Sequence, residues 1–231
     1  LDLSVSDRWF YFTIIGLLGT IGVVSNKVKL RIGYLKTVYV IAISLLIILS
    51  LRTIVRTFDW KNPFTLYSHD QKISQNNFYL ENNLGVEYLN LKQIEQAQTH
   101  LEKSVQIYPE WDLNNYNLGY LYAQLNQNEK AGLLFQKAYV NSKGSYLPAV
   151  INYAVYLQHY VSPKKAAQFA SEQLRRYPGQ KDLYAILIMS LTQDDRQNEA
   201  LSIAKEFSER YPSTFSRNIY DETAKKSVVK Y

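Results

Sequence analysis

"NNLGVEYL", Asn82 to Leu89, returns as "NYNLGYLY", Asn115 to Tyr122: Asn83, Leu84, Gly85 and Tyr88 recur as Asn117, Leu118, Gly119 and Tyr122, thirty-four residues later. A chain that comes back to the same residue types at a fixed interval of this size stacks one structural unit on copies of itself. Gly85, Gly119, Ala154 and Ile188 mark four units at spacings of 34, 35 and 34, and Ala97, Ala131, Ala166 and Ala200 follow twelve residues after each. Three units close on a Tyr-Pro pair ending in Pro109, Pro178 and Pro212, while Lys143 replaces proline in the second unit and an extra residue falls in "NSKGSYLP".

The spacing predicts two amphipathic helices per unit. The small residue of the first helix and the alanine of the second let the two cross closely, and proline stops the second helix. In the first unit Leu84, Tyr88, Leu91, Ile94, Ala97 and Leu101 fall at helical spacing and are expected to form the buried stripe. The predicted units run 78–111, 112–146, 147–180 and 181–212, with a C-terminal capping tail at 213–231. Ahead of them, residues 57–77 read as a linker and a half-repeat helix, capped at Asn62 with Pro63 in the first turn and ending near Ile73.

The first sixty residues have another composition, so the mean hydropathy of -0.24 describes neither part. "WFYFTIIGLLGTIGVVS", Trp9 to Ser25, has no charge over seventeen residues, and Thr37 to Leu51 has none over fifteen. The second run alone reaches only about 22 Å at 1.5 Å per residue, but flanking residues extend it if Lys36 and Arg52 snorkel toward the headgroups. Two membrane helices, about 9–25 and 34–54, are expected within a membrane region 1–56; buried helices of a soluble domain are the alternative. The loop Asn26–Lys36 carries Lys27, Lys29, Arg31 and Lys36 and no acid, which predicts a cytoplasmic loop and extracytoplasmic repeats, against the weaker pull of Arg52 and Arg56. The opening "LDLSVSDRW" lacks both an initiator Met and signal-peptide features, and reads as the start of a C-terminal piece of a longer protein.

No cysteine is present, which excludes disulfides, thiolate metal sites and cysteine nucleophiles. The net charge of +6 is spread through helices among acids and fits solvated faces rather than a nucleic-acid partner. His69, His100 and His159 are isolated, and Asp194 and Asp195 in the last inter-helix turn read as N-cap residues, not a metal site. Neither a catalytic constellation nor a cofactor motif appears.

The period near 34 resembles the tetratricopeptide repeat, TPR, and the expected fold is all-α: two transmembrane helices followed by a TPR α-solenoid of about four helix-turn-helix units. Two spans, the link "DWKNPFTLY" and repeats opening "NNLGVEYL" together resemble the C-terminal portion of multi-spanning membrane glycosyltransferases with TPR tails, the transmembrane TPR-containing O-mannosyltransferases. "SDRWFYFTIIG" is similar to that family's acid-Arg-x-x-Tyr-x-Pro stretch at Asp7, Arg8, Tyr11 and Gly16, with Thr13 in place of the proline. The resemblance implies a polyisoprenyl-phosphate sugar donor, a catalytic carboxylate upstream of these residues, and repeats that bind acceptor protein. A membrane-anchored TPR scaffold without an enzyme is the alternative.

Asn83, Asn117 and Asn152 share one position of three successive units. In TPR proteins that position faces the concave groove, where an amide column can hydrogen-bond an extended peptide backbone, or merely tie neighbouring helices together. Tyr116, Tyr120, Asn90, Gln124 and His159 are expected to line the same groove. Arg8, beside the aromatic cluster Trp9 to Tyr11, is the candidate contact for a lipid phosphate or an interfacial anchor.

Overall fold

The computed structural model describes residues 15–16, 18–20, 22–23, 32–59 and 62–228, and every regular element among them is helical. Helix α1 spans Ile32–Asp59. Its segment Lys36–Val55 is 20 residues long, has a mean hydropathy of 2.4, and buries nothing against the rest of the fold. By length and composition it is the one helix among the described residues able to cross a membrane. The pieces of the first expected span that are described, such as 18–20, are helical; most of that span, with Arg8, lies outside the described residues.

Ten further helices follow: α2 (Pro63–Ile73), α3 (Phe78–Asn90), α4 (Ile94–Ile107), α5 (Asp112–Gln124), α6 (Asn128–Asn141), α7 (Leu147–Tyr156), α8 (Pro163–Arg176), α9 (Lys181–Gln193), α10 (Gln197–Arg210) and α11 (Thr214–Val228). Asn62 starts α2: its Oδ1 accepts from the Thr65 N–H at 2.8 Å, with Pro63 in the first turn where no amide hydrogen is needed. From α3 onward the helices alternate as first and second members of antiparallel pairs, and α11 packs on α10 as the last helix.

Small residues set the crossings. A Cβ on Gly85 would sit 2.5 Å from Leu101 Cγ, and one on Gly119 would sit 3.0 Å from the Phe135 ring, so in the first two pairs the first helix lies directly on the second. Ala97, Ala131, Ala166 and Ala200 are all buried, as are Leu84, Leu101, Leu118 and Leu121. The core falls into two clusters, one around Leu101, Leu121 and Phe135 and another around Leu183, Leu187 and Phe207. Ile188, at the small-residue position of the fourth unit, is itself buried in the second cluster.

Leu91 departs from the expected stripe. It follows the last residue of α3 as the C-cap and is 54% exposed, because the helix stops before its side chain can rotate back onto the core. Asp194 likewise caps the C-terminus of α9 rather than the N-terminus of α10, whose N-cap Arg196 makes no side-chain cap bond.

The turns inside the pairs explain a local irregularity. In three units the chain leaves the first helix through a residue of positive φ: Lys92 (60°), Asn126 (58°) and Asp195 (59°). The equivalent residue of the third unit is Val161, whose β-branched side chain makes that conformation costly, and its φ is not positive. The chain instead winds through a π-helical turn, Leu157–Val161. The closing bond survives in all four units: Ser162 N–H to Leu157 O at 2.8 Å matches Gln93 to Tyr88, Gln127 to Tyr122 and Arg196 to Leu191.

Candidate peptide-binding groove

Asn83, Asn117 and Asn152 sit on the first helices of three successive pairs, α3, α5 and α7. They are half-buried, and each is drawn into a bond with a neighbouring residue. Asn117 Nδ2 donates to Asn82 Oδ1 at 2.9 Å, and Asn82 Nδ2 donates to Asn83 Oδ1 at 3.2 Å, so the amides form a chain across two repeats. That chain ends open: Asn83 Nδ2 is buried and has no acceptor. Asn152 Nδ2 donates to the Tyr116 hydroxyl at 3.2 Å across the next joint.

Tyr116 and Tyr120, one turn apart on α5, stack with ring centroids 6.5 Å apart, and Tyr146 meets Tyr116 edge-on at 5.0 Å. Burial raises the Tyr116 phenol above its ordinary range, while the Asn152 bond pulls the other way. Tyr120 stands 47% exposed on the same helix face and presents a ring for stacking. Asn90 and Gln124 end α3 and α5, and His159, at the equivalent repeat position, lies in the π turn after α7; all three are exposed.

Sequence reasoning missed three buried asparagines. Asn82 is the middle link of the amide chain, while Asn114 and Asn115 close the end of α4. Asn114 Nδ2 reaches the carbonyls of Ser104 (3.1 Å) and Tyr108 (2.8 Å), and Asn115 Nδ2 reaches those of Pro109 (2.8 Å) and Trp111 (2.6 Å). The Ser104, Tyr108 and Trp111 carbonyls also take backbone N–H groups, so the two amides add second donors at the end of the repeat and supply one to the Pro109 carbonyl. A hint was available, since both asparagines fall just after a Tyr-Pro pair.

A second miss is Glu81, on α3 and 1% exposed. Its carboxylate takes His100 Nδ1 at 2.7 Å, the Lys103 ammonium, and Gln71 Nε2 at 3.2 Å from α2. Burial alone would raise this carboxyl, but bonds from His100, Lys103 and Gln71 outweigh it and hold it at about 2, below the ordinary 4.5. His100 is therefore not an isolated surface histidine: it is held by Glu81 and stacked on Tyr88 at 5.1 Å. The cluster ties α2, α3 and α4 into one joint.

Clefts open along the solenoid. A cleft of about 570 Å³ lies between α8 and α10 over Leu187 and Leu191, away from the asparagine column. A smaller one, about 160 Å³, lies between α9 and α11 and is lined by Ala185, Met189, Thr192 and Ile219. No group of three or more His, Asp or Glu able to hold a metal occurs among the described residues.

Residues 82–110 and 114–139 match the family model described as tetratricopeptide repeat. These units are tetratricopeptide repeats. Along 210 residues the chain is 24% identical to protein O-mannosyl-transferase TMTC3 of Homo sapiens, and along 192 residues 27% identical to the Mus musculus protein of that name. The matches cover 90% and 82% of this chain but only 21% and 19% of those proteins, so the chain spans about a fifth of their length. Among solved structures, the TPR solenoid is similar to YrrB, described as a TPR protein with an unusual peptide-binding site, at 15% identity and a TM-score of 0.60 over 70% of this chain and 83% of that one. The type IV pilus biogenesis factor PilW gives 18% identity and a TM-score of 0.58 over 74% and 80%. At these identities the likeness establishes the TPR fold.

Proposed function

We propose that this chain is the C-terminal part of a polytopic membrane glycosyltransferase that uses a lipid-linked sugar, and that its extracytoplasmic TPR solenoid holds acceptor polypeptide in the groove of the first helices. The similarity to TMTC3 supports the parent enzyme; the donor, a polyisoprenyl-phosphate sugar, and the catalytic carboxylate belong to residues outside this chain. In this reading the loop Asn26–Lys36 is cytoplasmic, the spans are 9–25 and 34–54, and Arg8 meets a lipid phosphate.

The observation that carries the groove assignment is the open end of the asparagine chain. Asn83 Nδ2 is a buried donor with no partner, a state that costs about 1–3 kcal/mol, and a turn of this half-buried side chain toward the groove offers the donor to a peptide carbonyl. Asn117 and Asn152 already donate to Asn82 and Tyr116, so toward a ligand they act through Oδ1 and accept peptide N–H groups. The exposed ring of Tyr120 adds a stacking surface beside them.

A photoreactive phenylalanine at Tyr120 tests this against one at Lys137, an exposed position on the second helix of the same pair. With a reduced, carboxymethylated polypeptide as ligand, crosslinking at position 120 and not at 137 is expected. Equal crosslinking at both, or crosslinking at 137 alone, moves the binding face off the groove.

A further inference from the structure

We propose that the third intra-pair turn, from His159 to Lys165, is a second membrane contact, taking the interfacial layer and headgroups of an anionic bilayer. The proposal rests on the reading that α1 spans the membrane. Only residues 60–62 separate α1 from α2, a reach of roughly 10 Å, so the start of α2 lies at the bilayer surface. The Phe64 and Tyr88 rings meet at 5.2 Å, which puts the end of α3 and the first intra-pair turn beside the start of α2. A Cβ on Gly132, early in α6, would run into the Tyr156 ring at the end of α7. The third intra-pair turn therefore lies on the same edge of the solenoid, the edge nearest the anchor.

At this turn the local rule of the repeat is broken. Val161 stands where the other units place Lys92, Asn126 and Asp195, and the resulting π turn leaves Tyr160 54% and Val161 44% exposed. Departures of this kind concentrate at functional positions. Gln158 beneath the turn is 5% exposed with an unpartnered Nε2, so the turn is not internally satisfied. Lys164 and Lys165 follow, both exposed, and residues 157–171 contain no acid.

A tyrosine and a valine flanked by two lysines match the layered chemistry of an anionic membrane surface: ring at the headgroup level, ammonium groups outward. A patch this small is far short of the roughly 1,000 Å² that a specific protein interface needs, but it suffices for a contact already tethered by a span. Leu91 and Lys92 repeat the apolar-basic pairing at the first turn, with Leu91 54% exposed.

The chain has no cysteine, so one introduced by His159→Cys carries a single environment-sensitive fluorophore. The full chain is reconstituted in phosphatidylserine–phosphatidylcholine vesicles containing lipids spin-labelled near the headgroup; Leu46→Cys reports on the span in parallel with chain-labelled lipids. Quenching at both positions is expected. Lys164→Gln with Lys165→Gln should lower the contact equilibrium at position 159 on the order of tenfold, and Tyr160→Ser with Val161→Ser should abolish quenching there without changing the helical circular dichroism. Quenching at 46 but not at 159 overturns the contact while the span stands. No quenching at 46 removes the span and this proposal with it, and quenching at 159 that survives both double variants assigns the contact to other residues and overturns the site.

Discussion

Glu81→Gln isolates the joint between the half-repeat helix and the first TPR. The glutamine keeps the shape of the side chain but removes the charge that His100, Lys103 and Gln71 surround. The carboxyl falls from 4.5 to about 2 on folding, which at 1.36 kcal/mol per unit corresponds to about 3 kcal/mol. Because the folded value is the lower one, this stability is fully present above pH 4.5 and is lost as pH falls toward 2. Lys103 is 41% exposed and can turn to water in the variant, which keeps the loss near the lower end of the 3–5 kcal/mol range for breaking a buried pair. Urea unfolding of a 62–231 fragment, at pH 6 and at pH 3, measures the effect. The variant should lose about 3 kcal/mol at pH 6 and markedly less at pH 3; taking the difference between the two proteins cancels the titration of the other carboxylates. Equal losses at both pH values would show that Glu81 contributes shape and not charge.

Residues 61–231 freed of the membrane segment should fold as a soluble, mostly helical domain by circular dichroism, because each repeat buries its apolar stripe against its neighbours. Gly132→Ala places a methyl within the Tyr156 ring and should lower stability by about 1–3 kcal/mol in denaturant titration. Asn126→Val, at a φ of 58°, should destabilise by about 1–2 kcal/mol, whereas Val161→Asn should cost little and allow the third turn to adopt the form of the other three, readable from backbone chemical shifts. A cysteine in place of the exposed Gln127 should react with a membrane-impermeant maleimide in intact cells if the repeats are extracytoplasmic, and labelling only after lysis would reverse the topology.

The solenoid was legible in the sequence because its anchors are steric: a residue small enough for helices to touch must recur wherever the touching recurs, and Gly85, Gly119 and Ala154 do. The ends of the helices were less legible. Leu91 fits the apolar period yet lies past the end of α3, since periodicity continues through a residue whose backbone has already left the helix. Asp194 has N-cap chemistry but sits two residues ahead of the N-cap position, Arg196. The Glu81 joint could not be read at all, because its partners His100 and Lys103 come from another helix, and a buried acid looks like any surface glutamate until its helix is docked. The asparagine column was visible as a shared position. Its hydrogen bonds were not, since Asn82, the adjacent residue on the same helix, is what joins Asn83 to Asn117.

The groove itself is tested most directly by replacing Asn83, Asn117 and Asn152 together with alanine and titrating the chain with a reduced, carboxymethylated polypeptide by isothermal calorimetry. Loss of one hydrogen bond per site, at about 0.5–1.5 kcal/mol each, should weaken binding by about 1.5–4.5 kcal/mol, more than tenfold. The helical signal should persist, because Leu84, Leu101, Leu118 and Leu121 continue to fill the core. Unchanged affinity in a variant that still folds would contradict the account, leaving the column as a tie between repeats and placing the binding surface elsewhere on the solenoid.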